Sequence, residues 1–67
     1  MESIIDEFLK QGAINYNNRN FIQAEECYRK IIKLKPNHVG AHNNLGIILQ
    51  ALGKLDEAEL SFKKTIE

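Results

Sequence analysis

The chain has 67 residues, a single cysteine, and nine basic residues interspersed with nine acidic ones. A domain this small buries only about 60% of the surface its unfolded chain exposes, and a lone Cys27 rules out an internal disulfide, so regular helix packing and association are left as sources of stability. The balanced charge offers no field to gather nucleic acid or an anionic membrane, no apolar run approaches the ~20 residues that cross a bilayer, and the acidic start lacks the basic region of a secretory leader, so a cytoplasmic protein is expected.

The first predicted helix spans 4–17, on the helical spacing of Ile4, Ile5, Phe8 and Leu9. Ser3 followed by Asp6 resembles a capping box at its start. Asn17-Asn18-Arg19-Asn20 breaks the pattern, and a second helix follows at 21–34, carried by Tyr28, Ile31 and Ile32. Arg29, Lys30, Lys33 and Lys35 gather toward its end, where the helix dipole favours cations. Lys35-Pro36-Asn37 forbids continuation, and Asn37 is the expected cap of a third helix at 38–52, with Leu45, Ile48, Leu49 and Leu52 on its apolar face. Gly53 supplies the left-handed residue that closes that helix. The last helix, 55–66, opens on Asp56, Glu57 and Glu59, again favourable against the dipole. Short connections make sequential helices antiparallel neighbours.

Few residues here suggest chemistry. His38 and His42 stand one helical turn apart and could meet one metal, but two ligands without a partnered carboxylate or thiolate make a poor site. Packing histidines are the expected reading. Cys27 lies near Arg29 and Lys30, yet without a histidine close in sequence it reads as a small buried hydrophobe rather than a nucleophile. Asp56-Glu57-Ala58-Glu59 lacks the oxygen-ligand loop of a calcium site, and the basic run of the second helix alternates with Ile31, Ile32 and Leu34 as a solvated amphipathic face does. With no phosphate loop and no nucleophile motif, neither an enzyme nor a cofactor is expected.

Self-similarity appears at a shift of 34 residues, which sets Gly12 on Gly46, Ile14 on Ile48, Ala24 on Ala58, Glu25 on Glu59, Lys30 on Lys64 and Ile32 on Ile66, with Phe21 on Leu55 and Tyr28 on Phe62 as conservative pairs. A glycine in a helix interior costs roughly 1 kcal/mol, so its recurrence at one phase predicts close approach of a neighbouring helix there. His42, Leu45, Gly46, Leu49, Ala58 and Phe62 in one half, and Phe8, Gln11, Gly12, Asn15, Ala24, Tyr28 and Pro36 in the other, resemble the tetratricopeptide-repeat (TPR) pattern of W-x2-L-G-x2-Y, A-x3-F and P. His42, Asn15 and Gln11 depart from it, and Tyr16 is expected to fill the space that Asn15 cannot.

The resemblance implies an all-α fold of two antiparallel hairpins stacked as a short right-handed solenoid, with repeat one at about 4–37 and repeat two at about 38–67, truncated at its end. It also implies a protein-interaction module cut from a longer protein, whose first helices line a concave peptide groove. Carried onto this chain, the groove-facing residues are Leu9, Ala13, Tyr16 and Asn17 of the first helix and Asn43, Asn44, Ile47, Gln50 and Ala51 of the third. Asn43-Asn44-Leu45-Gly46 is similar to the signature of TPR superhelices in O-linked N-acetylglucosamine transferases, where asparagines hold peptide backbone; an amide suits that task because it donates and accepts at once. Lys10 stands at the equivalent place in the first repeat, so there is one rung. The alternative is a self-associating unit: a terminal repeat without a polar cap would expose Ile48, Leu52, Leu60, Phe62 and Ile66, and a homodimer would cover them.

Overall fold

The computed structural model describes residues 3–66, except for the side chain of Ile66. Four helices follow one another: α1 (Ile4–Asn17), α2 (Phe21–Leu34), α3 (Val39–Ala51) and α4 (Leu55–Ile66). Each packs against its neighbour in sequence, α1 on α2, α2 on α3 and α3 on α4, so the architecture is a pair of stacked helical hairpins. The Cα trace measures 36 × 28 × 14 Å. In a slab that thin the core is a single seam, made of Ala24, Tyr28 and Ile31 from α2, Ala41, Leu45, Ile48 and Leu49 from α3, and Ala58 from α4.

Local chemistry sets the helix limits. The capping box at α1 forms as expected: the Asp6 amide donates to Ser3 Oγ at 3.1 Å and the Ser3 amide donates back to Asp6 Oδ2 at 3.3 Å. At α3 the expected cap, Asn37, is replaced by His38, whose Nδ1 accepts from the Ala41 amide at 3.0 Å. An imidazole nitrogen with a free lone pair serves an orphan helix amide as an asparagine oxygen does. His42 Nε2 donates to the Pro36 carbonyl at 2.7 Å, so both rings work locally to tie the α2–α3 turn.

The two turns inside the hairpins close by the same bonds, 34 residues apart. Asn18, Arg19 and Asn20 donate to the carbonyls of Ile14, Tyr16 and Asn15; Leu52, Gly53 and Lys54 donate to those of Ile48, Gln50 and Leu49. This is the Schellman closure, whose pivot is a left-handed residue. Gly53 takes it at φ 79°, as expected, and Arg19 takes it at φ 62° without glycine's freedom.

The paired glycines mark where each hairpin is tightest. A Cβ on Gly12 would stand 2.7 Å from the Tyr28 ring, and one on Gly46 would stand 2.6 Å from the Phe62 ring. Each glycine therefore receives the aromatic of the second helix of its own hairpin. Asn15, in the slot the family gives to tyrosine, turns its amide back to the Gln11 carbonyl at 2.9 Å. Tyr16 does not fill that space: it is 39% exposed and tilts against Phe21, ring centroids 5.7 Å apart.

Candidate peptide-binding groove

α1 and α3 face each other across a hollow of about 210 Å³ whose lining includes Ala13, Tyr16 and Asn17 from α1, and Asn44 and Ile47 from α3. Five of the nine groove residues expected from the sequence thus meet at one place. Leu9 instead packs half-buried against the core, while Asn43, Gln50 and Ala51 are exposed outside the hollow.

Two further residues complete the lining, Tyr28 and Ile48. Ile48 corrects an expectation: placed by the sequence on an open terminal face, it is 1% exposed in the core seam. α3 lies between α2 and α4, and Ile48 points toward the first hairpin rather than away from it. Of the other residues expected on that terminal face, Leu52 and Phe62 are half-buried against the core, the Ile66 side chain lies outside the described residues, and Leu60 is 63% exposed.

Tyr28 was missed as a groove residue because its position looks purely structural, the counterpart of Phe62. The signal was the extra hydroxyl, since a buried phenol needs a polar partner. The polar side chain beside it in the lining is the Asn44 amide. Burial holds the Tyr28 phenol above its ordinary pKa, nearby Cys27 adds to the rise, and the polar Asn44 side chain beside it opposes it. The phenol is thus neutral at physiological pH. Among the described residues no charged side chain lines the hollow, which leaves amide, phenol and apolar surface as its chemistry. Such a lining can hold neutral backbone or an apolar side chain; it offers no cation to a carboxylate.

Charge is concentrated outside the groove. Glu25 on α2 accepts from Arg29 Nε at 2.7 Å and from Lys54 Nζ, in the α3–α4 turn, at 3.4 Å, and Arg29 reaches on to Glu57 of α4 at 3.1 Å. Partial burial raises the Glu25 pKa, but the hydrogen bond and charge of Arg29, with those of Lys54, outweigh it, and the carboxyl lies below its ordinary value. This cluster ties the first hairpin to the second. Among the described residues no group of three or more His, Cys, Asp or Glu side chains is placed to hold a metal, and no helix is long and apolar enough to cross a membrane.

Successive helical hairpins with a recurring glycine-on-aromatic contact define an α-helical repeat protein. Tetratricopeptide-repeat profiles match residues 8–38 and 27–60, and the chain belongs to the tetratricopeptide-repeat family, with two repeats. It is 39% identical over 49 residues to a TPR repeat-containing protein of Picosynechococcus sp.; the match covers 73% of this chain and 13% of that protein. No solved structure matches significantly. TPR repeats generally mediate protein–protein interaction, which is the class of function the family assigns here.

Proposed function

We propose that this chain binds an extended peptide of a partner protein in the hollow between α1 and α3, as part of a longer TPR array. The observation that carries the reading is the uncharged hollow itself, in which the Asn44 amide and Tyr28 hydroxyl lie among Ala13, Ile47 and the Tyr16 ring. An amide at such a place meets peptide N–H and C=O groups without selecting side chains, while apolar walls take one side chain from the ligand. Two repeats supply only two lining helices, so affinity for a single peptide is weak, roughly 0.1 to 1 mM. The setting we propose is the cytoplasm, a reducing compartment that suits the free, half-buried Cys27.

Chemical-shift mapping with a pooled peptide library tests this reading. Shifts should centre on Tyr16, Asn17, Asn44 and Ile47 and disappear in Ala13→Arg, which fills the hollow from α1. Shifts confined to Ile22, Cys27 and Leu60 would put the site on the wrong face and defeat it. A second reading, homodimerisation, is favoured by the 63% exposure of Leu60, where the first repeat carries the solvent-facing Glu26. Light scattering over a concentration series checks it, since a chain that stays monomeric throughout removes that reading.

A further inference from the structure

Opposite the groove, α2 and α4 leave a second depression, an open cleft of about 600 Å³ that neither the repeat pattern nor the groove reading uses. Its apolar lining comes from Ile32, Leu45 and Leu60. Its charged lining is all of one sign: Arg29 and Lys33 from α2, Lys63 and Lys64 from α4, and no carboxylate among the described residues. The cleft runs into a neighbouring hollow of about 590 Å³ through the shared Ile32, His42 and Lys64, and that extension adds Pro36 and Val39. The two together form one open trough rather than a pocket that encloses a small molecule.

We infer that this trough is a second docking surface, and that its occupant is an acidic segment of a partner protein in which carboxylates flank apolar side chains. Three observations select that occupant. First, Arg29 is already matched by Glu25 and Glu57, whereas Lys63 meets Glu59 at 3.9 Å with both side chains mostly exposed. So loose a pair gives way readily to a better-placed carboxylate. Second, a nucleic acid would find cations but, among the described residues of the lining, no Phe, Tyr or Trp, and the one imidazole, His42, is half-buried and tied to the Pro36 carbonyl rather than open for a base to stack on. The apolar surface of Ile32, Leu45 and Leu60 would then be covered by nothing. Third, a second copy docked by a two-fold axis through the trough would set lysines against lysines, a juxtaposition that opposes association. An acidic, apolar segment satisfies both the floor and the rim. It also explains the exposed Leu60, which sits beside the lysines of α4. Because His42 and Leu45 of α3 face the trough while Asn44 and Ile47 face the groove, both surfaces can be occupied at once.

The test uses the 67-residue chain and a fluorescently labelled peptide in which Glu alternates with Leu, titrated by anisotropy at low and high salt. Binding should weaken with salt. It should fall at least about tenfold in the double variant Lys33→Glu and Lys63→Glu and about threefold in Leu60→Ser, with circular dichroism showing all variants folded. Ala13→Arg, in the groove, should leave it unchanged. Four results would overturn the inference: binding indifferent to the lysine reversals, equal binding of a single-stranded oligonucleotide of the same charge, loss of binding in Ala13→Arg, or a dimer of the chain that excludes the peptide.

Discussion

α1 and α3 hold equivalent places in successive hairpins, yet α1 buries only Gly12 among its described residues while α3 buries Ala41, Leu45, Gly46, Ile48 and Leu49. The difference lies in their neighbours. α3 packs against α2 on one side and α4 on the other, whereas α1 packs against α2. Composition follows that geometry: α1 carries Asp6, Glu7 and Lys10, and α3 carries no Asp, Glu, Lys or Arg at all. The same repeat letter therefore means different things at different depths in the stack. At the position where α3 has Leu49, fully buried, α1 has the half-buried Asn15.

The largest expected effect comes from breaking the inner helix. Leu49→Ala removes a fully buried side chain and should cost about 2 to 5 kcal/mol, enough to unfold so small a domain at ordinary temperature. The mirror change, Asn15→Leu, should instead stabilise the chain by a few tenths of a kcal/mol through better helix propensity. Chemical denaturation of both variants measures this asymmetry. If Leu49→Ala is benign, α3 is not the centre of the stack.

Gly46→Leu comes next. A side chain there meets the Phe62 ring and forces the second hairpin apart, at about 1 to 3 kcal/mol. A thermal melt followed by circular dichroism would show it. An unshifted melt would mean that Phe62, only half-buried, swings clear, unlike Tyr28, which is 4% exposed in the core seam.

The two Schellman turns sharpen the comparison further. Gly53→Ala places a Cβ at a left-handed residue and should destabilise by roughly 1 kcal/mol. Arg19→Gly, at the equivalent pivot, should be neutral or slightly stabilising. Differential scanning of the pair reads the sign: a lowered melting temperature for Gly53→Ala and an unchanged or slightly raised one for Arg19→Gly are the expected outcome.

The smallest effect concerns the link between hairpins. Because the Glu25 pKa is lowered in the folded chain, its ion pairs stabilise the fold above the ordinary carboxyl value, and that contribution is lost as pH falls through the lowered one. Glu25→Gln should cost on the order of 0.5 kcal/mol at neutral pH. Wild type and variant should converge in acid. A difference that persisted below the carboxyl range would assign the effect to packing instead of charge.

All four helices were legible in the sequence, α1, α2 and α4 at their observed limits and α3 one residue long at each end, because apolar periodicity and Gly, Pro and Asn breaks act locally. The caps were legible only where the residue type is a habitual one. Ser3 and Gly53 announce themselves, while His38 as a helix cap and Arg19 as a left-handed pivot do not; for Arg19 the clue was its alignment on Gly53 at a shift of 34 residues. Placement in the α1–α3 hollow was legible for Ala13 and Ile47, whose faces their own helices fix, and not for Leu9, Asn43, Gln50 or Ala51, which lie outside it. It failed at Ile48, since periodicity shows that a position is apolar without showing which neighbour covers it. The α2–α4 trough was invisible for the same reason: Leu60 stood out as an anomaly, and only packing brings it beside Ile32 and the lysines.

That each helix packs on its neighbour in sequence has a consequence for how the chain folds. Loops between partners are short, so little chain entropy is lost in closing any one contact, and topologies of this kind fold quickly. Either hairpin can nucleate, and the other then grows on it as a further unit of a one-dimensional array. Lengthening such an array by duplication adds another interface of the same kind without demanding a new folding route. A gene can therefore extend the binding surface repeat by repeat while the kinetic problem stays that of a single hairpin meeting the next.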